Sequence, residues 1–576
     1  MRILFLTHAF NSLTQRLWLE LTERGHAVSV EFDINDVVTE EAVALWQPDL
    51  VIAPFLKRAI PASIWQRQVC LVVHPGIVGD RGPSALDWAI QEGAAEWGVT
   101  VLQANAEMDG GDIWATRTFP MRAAKKSSLY RNEVTEAAVA AVLEALQHVP
   151  DYLASRWQPL PLDYANPTVR GRLRPPLRQQ ERAIDWQCDD TATVLCKINA
   201  GDGVPGVRDA LFGEACQLFD ARRIDGLRGQ PGTLLGRAGS AVLRATVDGA
   251  VSLGHVLRPQ HAHPFKLPVA LAFADAVTAL PQIDGAHGRE IRYEEEGAVG
   301  YLHFDFYNGA MSSAQCTQLI AALQQACQRP TRVLVLMGGE DFWSNGIHLN
   351  LIEAADSPAE ESMRNIEAMD DLALEILMTT DRLLVAALQG NAGAGGCFLA
   401  LAADQVWARR GVVLNPHYKN MGNLYGSEYW TYLLPRRVGA ARAQEITQRR
   451  LPVSATGALQ EGLIDACFGD DLNRFRAEVR QRASALAAAP DFALRLADKQ
   501  ARRRADEAQK PLAAYRAEEL AEMRRNFYGF DPSYHYARQH FVSKQPHAWT
   551  PRHLAPHRAA AVVSLPGLEH LPKEVA

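Results

Sequence analysis

The sequence predicts a multi-domain α/β protein, with two α/β domains, a small β-rich domain between them and a helical C-terminal region. A chain of 576 residues is too long for one hydrophobic core. Strand-like and helix-like segments alternate over the first third, and a second alternating region surrounds a glycine-rich turn. We therefore expect domains at residues 1–150, 181–280 and 286–487, a linker at 151–180 and a helical region at 488–576.

The first domain is predicted from its strands. Apolar runs at residues 3–6, 28–32, 50–53 and 69–73 are typical of strands, and a helical segment follows the first of them. This alternation predicts a Rossmann-like, doubly wound sheet whose functional site lies beyond the carboxyl ends of the strands. His74 directly follows the fourth strand, so we expect it at that edge. No Gly-x-Gly-x-x-Gly sequence follows the first strand, and a dinucleotide site is not expected.

The amino-acid composition of the chain changes after the first domain. Six prolines and several arginines between residues 150 and 176 predict a linker on the protein surface. Short strands separated by glycine and aspartate turns then predict a small β-rich, OB-like domain. In the third domain we expect helices at 312–327 and 358–378 and strands at 300–306, 332–337 and 383–387.

Composition excludes several classes of protein. A net charge of −7 argues against a nucleic-acid-binding protein, which usually has a basic surface. The apolar N-terminal run reaches Thr7 and His8 too early for a signal peptide, and no apolar stretch is long enough to span a membrane. The eight cysteines are dispersed without a Cys-x-x-Cys pair, so we expect neither disulfides nor a zinc site. We therefore predict a cytoplasmic protein without a metal site that binds neither nucleic acid nor membranes.

The first candidate site consists of a strand before His74, a turn at 79–83 and a loop that carries Asp109 before two glycines. This series resembles the formyltransferase family that uses 10-formyltetrahydrofolate, in which a strand ends in Asn-x-His and a later loop carries Asp before Gly. The resemblance implies that His74 and Asp109 are catalytic and that residues 1–150 take the folate as substrate. It also implies that the β-rich block is the family's C-terminal domain. Val72 stands where the family has its Asn.

The retained His and Asp suit formyl transfer. The reaction passes through a tetrahedral oxyanion, which needs a hydrogen-bond donor and a proton carrier. Histidine can serve as both near neutral pH, and a neighbouring carboxylate orients its ring. We interpret Asp80 and Asp112 as turn-forming residues. The missing Asn removes a donor of a kind worth about 2.7–4 kcal/mol in the transition state, so another side chain replaces it or the acceptor is not the usual amine.

The second candidate site combines two segments, residues 342–349 and the glycine-rich turn at 390–397. Together they resemble the crotonase (enoyl-CoA hydratase/isomerase) superfamily, whose members bind a coenzyme A thioester oxygen with two backbone N–H groups. By position the resemblance implies Ile347 and Gly395 for this role. Glycine suits the role because bare backbone can approach the thioester, and a helix N-terminus adds its dipole.

The side chains of the second site do not fit a hydratase. Phe398 stands where hydratases carry their first catalytic Glu, and no Glu lies around the second position, at residues 415–420. Addition of water to a double bond needs paired carboxylates, so we do not expect hydratase activity. Tyr418 and Glu428 are the ionisable residues nearest to the vacated position. We expect Glu428 to act as a base and Tyr418 to orient the substrate or relay the proton.

A formyltransferase block followed by a crotonase block resembles the HypX (HoxX) family of hydrogenase maturation factors. Two further segments, 306–312 and 417–422, extend the resemblance. It implies that 10-formyltetrahydrofolate supplies a carbon that becomes the carbon monoxide ligand of nickel–iron hydrogenase, with coenzyme A as carrier and formyl-CoA as intermediate. It also implies delivery to the hydrogenase large subunit or its maturation machinery. Candidate polar contacts along the folate site or formyl path are Gln15, Arg131, Thr193 and Asn308.

Two other functions stay open from the sequence. One is a formyltransferase for a small amine, in which the crotonase block is a non-catalytic scaffold. The other is a non-catalytic carrier that binds folate and coenzyme A compounds. The retained His74 and Asp109 favour catalysis, whereas the missing Asn and hydratase carboxylates keep the carrier open.

Overall fold

The computed structural model describes residues 1–284 and 290–560, which form two compact units. The first comprises Met1–Glu181 and the chain from Pro546, and the second comprises Arg182–Gln545. In the described part of the chain, no helix is both long and apolar enough to cross a membrane.

A six-stranded sheet forms the centre of the first unit. Its strands are β1 (Arg2–Thr7), β2 (Ala27–Phe32), β3 (Leu50–Phe55), β4 (Cys70–His74), β5 (Glu96–Gln103) and β6 (Ile113–Pro120), in the order β2-β1-β3-β4-β5-β6. The first four strands are parallel, and β5 and β6 are antiparallel additions. The helices are α1 (Ser12–Glu23), α2 (Asp36–Trp46), α3 (Ala62–Trp65), α4 (Ala85–Gln91), α5 (Lys126–Leu129) and α6 (Thr135–Leu153), and a π-helical turn (Tyr130–Val134) precedes α6.

The sheet places His74 at its functional edge. Ile3, Leu4 and Phe5 of β1 are fully buried, as expected for a parallel strand covered on both faces. His74 is the last residue of β4 and pairs with Thr100 of β5. The side chain therefore lies where the strands end, within the strand rather than just after it.

The chain from Pro546 covers the free edge of β2. The Val30 N–H donates to the Leu554 carbonyl at 2.8 Å, and the Phe32 N–H donates to Thr550 Oγ1 at 2.9 Å. This pairing protects an otherwise open sheet edge. The predicted helical region at 488–576 did not anticipate this return to the first unit.

The second unit begins with the β-rich domain. After α7 (Gln179–Arg182) and α8 (Thr191–Gly201) comes an antiparallel sheet in the order β7-β8-β11-β10-β9, with β12 paired to β11. The strands are β7 (Val207–Leu211), β8 (Glu214–Ile224), β9 (Leu234–Ala238), β10 (Ala241–Ala245), β11 (Ala250–Leu257) and β12 (Leu267–Pro268). Two short helices follow, α9 (Val269–Ala272) and α10 (Ala274–Thr278).

Two sheets build the rest of the second unit. The larger has the order β13-β14-β15-β17-β19-β22, and the smaller has the order β16-β18-β20-β21. The strands are β13 (Ile291–Glu296), β14 (Val299–Phe304), β15 (Val333–Leu336), β16 (Phe342–Ser344), β17 (Leu383–Leu388), β18 (Asn391–Gly393), β19 (Gln405–Arg409), β20 (Val413–Asn415), β21 (Val453–Ser454) and β22 (Ala466–Phe468).

Helices pack around these two sheets. They are α11 (Ser313–Cys327), α12 (Leu349–Ala354), α13 (Pro358–Met378), α14 (Gly395–Leu401), α15 (Trp430–Val438), α16 (Ala440–Gln448), α17 (Ala455–Gln460), α18 (Leu472–Ala488), α19 (Phe492–Gln509), α20 (Leu512–Tyr528) and α21 (Ser533–Val542). In the first unit, α22 (Pro556–Ala560) completes the described chain. The helices α11 and α13 lie where the sequence predicts them, and a capping box at Ser312 and Gln315 fixes the start of α11.

Candidate active sites

In the first unit, carboxylates flank both ring nitrogens of His74. Nε2 lies 2.9 Å from Oδ1 of Asp80, and both side chains are buried. Because a carboxylate only accepts hydrogen bonds, Nε2 carries a proton in this contact. Nδ1 lies 3.6 Å from Oδ2 of Asp109, which is ion-pair distance rather than a hydrogen bond.

Asp80 does close a turn, since its N–H donates to the Ile77 carbonyl, but the turn interpretation missed the role of its side chain. Its side chain is fully buried and bonded to His74, whereas Asp112 is exposed, as a turn residue should be. The sequence could not separate the two, because both lie in glycine-rich loops. Asp109 was expected to orient the imidazole, but the ring donates its direct hydrogen bond to Asp80.

The linker forms part of the wall around Asp80. Gly171 N–H donates to the Val78 carbonyl, and Arg174 N–H donates to the Arg81 carbonyl. A Cβ atom added at Gly171 would overlap the backbone of Asp80, so only glycine fits there. The Arg174 side chain also places its Nε 3.8 Å from Asp80 Oδ2. The proline-rich segment, predicted to lie on the surface, therefore supports the loop that carries Asp80.

The four predicted polar contacts are divided between the two units. In the first unit, Gln15 lies on α1 and donates from Nε2 to the Phe10 carbonyl, and Arg131 lies in the π-helical turn. In the second unit, Thr193 lies in the first turn of α8, where its N–H is capped by Asp190. Asn308 has a positive φ of 57° and is exposed. Their roles in the folate site or formyl path stay predictions.

In the second unit, the two segments of the predicted oxyanion site come together. Strands β16 and β18 are parallel neighbours, with Phe342 opposite Asn391. A Cβ atom added at Gly346 would lie 3.4 Å from the backbone nitrogen of Gly395, so the two loops approach closely. Gly395 is the first residue of α14, and Ile347 follows Gly346 directly. The backbone thus brings Gly346, the residue before Ile347, next to Gly395.

Tyr418 and Glu428 lie against this place. The Tyr418 hydroxyl is 2.5 Å from Oε2 of Glu428 and 2.8 Å from the Ser427 carbonyl oxygen. A Cβ atom added at Gly395 would overlap the Glu428 carboxyl group. The Phe398 ring stacks on the Tyr418 ring with their centroids 5.2 Å apart. Phe398 therefore packs directly against Tyr418.

The surroundings of the Tyr418–Glu428 pair favour the protonated, neutral form of both side chains. Burial, followed by the charge of Asp370, raises the pKa of Glu428 well above its usual value. Burial, followed by Glu428, raises the pKa of Tyr418 well above its usual value. The Tyr418 hydroxyl is placed to donate to Oε2 of Glu428 and to the Ser427 carbonyl. When Glu428 is protonated, Tyr418 donates to the Ser427 carbonyl, which can only accept, and Glu428 donates to the Tyr418 oxygen. The other carboxyl oxygen, Oε1, has no hydrogen-bond partner among the described residues.

Two buried acids behind Glu428 were missed in the sequence. Asp370 lies on α13 and Glu519 on α20, and both are fully buried. Their signal was present, because each lies on the apolar face of its helix, Asp370 with Ile366 and Ala373, and Glu519 with Met523. A charged residue at such a position rarely lies in a core unless it has partners.

Comparisons with known proteins agree with this organisation. Residues 14–146 match the formyl transferase family model, and residues 294–552 match the enoyl-CoA hydratase/isomerase model. Methionyl-tRNA formyltransferase from Aromatoleum aromaticum is 23% identical over 41% of this chain and 72% of its own length.

Two relatives match almost the whole chain. The hydrogenase maturation factor HoxX of Bradyrhizobium diazoefficiens is 57% identical over 97% of both chains. The crystal structure of HypX from Aquifex aeolicus in complex with tetrahydrofolic acid is 48% identical, with a TM-score of 0.92 over 97% of this chain and 99% of that one. These matches confirm the predicted multi-domain α/β fold and the predicted resemblance. The chain belongs to the HypX/HoxX family of hydrogenase maturation factors.

Proposed function

We propose that this chain makes the carbon monoxide ligand of nickel–iron hydrogenase from 10-formyltetrahydrofolate. Formyl transfer to coenzyme A comes first, and formyl-CoA then releases carbon monoxide. The observation that carries the proposal is the buried Tyr418–Glu428 pair, with its hydroxyl and carboxyl oxygens 2.5 Å apart, against Gly395. The complex of a relative with tetrahydrofolic acid supports the folate as formyl donor.

In the first reaction, the thiol sulfur of coenzyme A bonds to the formyl carbon and the bond between that carbon and the folate nitrogen breaks. The thiol proton ends on that nitrogen. His74 carries it through Nδ1, because Asp80 holds Nε2. Asp109, 3.6 Å from Nδ1, stabilises the charged ring. A thiol acceptor agrees with Val72 at the position where the formyltransferases have Asn.

In the second reaction, formyl-CoA loses its formyl proton and its carbon–sulfur bond. The electrons of the C–H bond become the lone pair of carbon monoxide, and those of the C–S bond go to sulfur. The free Oε1 of Glu428 takes the formyl proton, while the proton on Oε2 passes to Tyr418. Tyr418 delivers its own proton to sulfur. The pair is neutral before and after, so burial does not oppose the reaction.

The backbone of Ile347 and Gly395 holds the thioester oxygen in this scheme. Two N–H donors aimed at one oxygen fix the formyl group beside the Glu428 carboxyl. The fully buried Phe398 helps to exclude water, which would otherwise hydrolyse the thioester.

Incubation of the full-length protein with 10-formyltetrahydrofolate and coenzyme A tests the proposal. Carbon monoxide and tetrahydrofolate should accumulate in equal amounts, and neither should form without coenzyme A. Formylation of an added amine without carbon monoxide would support the amine formyltransferase instead. Binding of both compounds without turnover would support the carrier.

We also propose that the product reaches the hydrogenase large subunit or its maturation machinery. Isotopic label in the formyl carbon should then appear in the iron-bound carbon monoxide of hydrogenase, which infrared spectroscopy detects. Absence of label in that ligand would contradict the delivery.

A further inference from the structure

We propose that Asp370 and Glu519 are positioning residues for the release of carbon monoxide, acting through the backbone and carboxyl group of Glu428. This inference rests on the proposed function of the Tyr418–Glu428 pair. It adds two residues on distant helices, α13 and α20, to the second site.

The first argument is the backbone at Glu428. Glu428 and Tyr429 have φ values of 58° and 59°, so two consecutive residues with side chains adopt the left-handed conformation. That conformation is uncommon for residues other than glycine, and it persists only when the surroundings hold it. It directs the Glu428 carboxyl onto Tyr418 and Gly395.

The second argument is that each strained N–H group is held by a different buried carboxylate. Glu428 N–H donates to Oδ1 of Asp370 at 2.7 Å, and Tyr429 N–H donates to Oε2 of Glu519 at 2.9 Å. The Ser427 hydroxyl also donates to Asp370 at 2.7 Å. Thr431 N–H donates to the second oxygen of Glu519 at 2.8 Å. These four hydrogen bonds to two buried side chains hold the turn in its left-handed conformation.

The third argument is charge. Burial raises the pKa of Asp370 to about 6 and that of Glu519 to about 8, and the charge of Asp370 is the largest contribution after burial to the raised pKa of Glu428. Asp370 therefore helps to keep Glu428 protonated. Among the described residues, the other titratable or charged groups facing this cluster include Tyr418, Tyr425, Tyr429, Cys316 on α11, Asp371 on α13 and Arg516 on α20.

The test compares Asp370→Asn with Asp371→Asn in the full-length protein supplied with synthetic formyl-CoA. Both changes remove one negative charge from α13, and both acids lie beside Arg516, but Asp371 is half exposed and does not bond to the Glu428 turn. For Asp370→Asn we expect kcat to fall by about 10²-fold with little change in KM, because misplacement of a catalytic group by about 1 Å costs that much. Asp371→Asn should behave as the parent.

The pH profile separates positioning from a merely structural role. Without the negative charge of Asp370, the pKa of Glu428 falls, so activity that needs protonated Glu428 should be lost at lower pH than in the parent. Glu519→Gln keeps an acceptor for the Tyr429 N–H and should shift the profile in the same direction. If Asp370→Asn does not fold, Glu519→Gln provides the same test. An unchanged profile in either folded variant would overturn the inference.

A second readout does not depend on carbon monoxide. The infrared C=O band of the protonated Glu428 carboxyl is identified by its loss in Glu428→Gln. The pH dependence of this band reports the pKa of Glu428 directly. If the parent releases no carbon monoxide, the proposed function fails, while the titration still decides the inference. A band that titrates identically in the parent, in Asp370→Asn and in Glu519→Gln would overturn it.

Discussion

The Nε2 atom of His74 lies 2.9 Å from Asp80, whereas its Nδ1 atom lies 3.6 Å from Asp109. The fully buried Asp80 thus anchors the ring at Nε2. Nδ1 is the ring nitrogen that faces Asp109 and the loop that carries it.

The first prediction concerns His74 and Asp109. His74→Ala should abolish formation of tetrahydrofolate, and Asp109→Asn should slow it by about 10²-fold or more, since general acid–base catalysis is worth about 10²–10⁴. The measurement is the rate of tetrahydrofolate release with coenzyme A present. A folded His74→Ala protein with the rate of the parent would exclude this assignment.

The second prediction assigns Asp80 a role that Asp112 lacks. Asp80→Asn leaves a side chain of the same size, but a neutral amide orients the ring less strongly than a carboxylate, so formyl transfer should slow by at least about tenfold. Asp112→Asn is the matched control, because Asp112 is exposed, and its rate should equal that of the parent. Equal rates in the two variants would show that Asp80 is only structural.

The third prediction concerns Gly395. Gly395→Ala should displace the Glu428 carboxyl, because the added Cβ would overlap it, and should slow carbon monoxide release from formyl-CoA by about 10²-fold. The larger Gly395→Val should also weaken coenzyme A binding, measured by calorimetry. Folate binding in the first unit should be unchanged in both. Parental coenzyme A affinity in Gly395→Val would refute the placement of the thioester.

The fourth prediction concerns the chain from Pro546. His557 Nε2 lies 2.9 Å and Arg558 Nε 2.7 Å from Oε2 of the buried Glu31 on β2, and Thr550 also donates to this carboxylate. Burial acts to raise the pKa of Glu31, but hydrogen bonds from His557, Thr550 and Arg558 outweigh it and lower that pKa below its usual value. Stability from this group is therefore present above its unfolded pKa of about 4.3 and lost as the pH falls through the lower folded value.

Glu31→Gln should accordingly lower the free energy of unfolding of the first unit by roughly 3–5 kcal/mol near neutral pH, as expected when one member of a buried ion pair is removed. Urea unfolding of the full chain at several pH values measures this. Glu41→Gln is the control: Glu41 is more than half exposed and pairs with the same Arg558, so we expect about 0–1 kcal/mol. Equal losses in the two variants would contradict the role of Glu31.

Local patterns in the sequence predicted much of the fold. The spacing of apolar residues predicted α13 at the bounds that the structure has, and the apolar run before His74 predicted β4. Both depend on contacts repeated along one element, which a sequence displays directly. The return of the chain to β2 could not be predicted, because it depends on side chains separated by more than 500 residues.

The second site shows the same limit. Tyr418 and Glu428 were chosen as candidates because they lie near the vacated hydratase position in the sequence. The contact of Glu428 with Gly395 depends on a left-handed backbone at Glu428, which the sequence does not indicate because the residue is not glycine. Asp370 and Glu519 lie far from both in sequence, and their only indication there is an acidic residue on the apolar face of a helix. Asp80 was missed because a buried aspartate and a turn aspartate occupy the same kind of glycine-rich loop.

The measurement that tests the account most directly supplies synthetic formyl-CoA to Tyr418→Phe and Glu428→Gln, which bypasses the first unit. Carbon monoxide release should slow by about 10²–10⁴-fold in each, because each removes one member of the proton-transfer pair. Tyr536→Phe, which changes an exposed tyrosine of the second unit, is the control and should release it at the parental rate. Parental release in both Tyr418→Phe and Glu428→Gln would contradict the account and leave the backbone donors and exclusion of water as the source of catalysis.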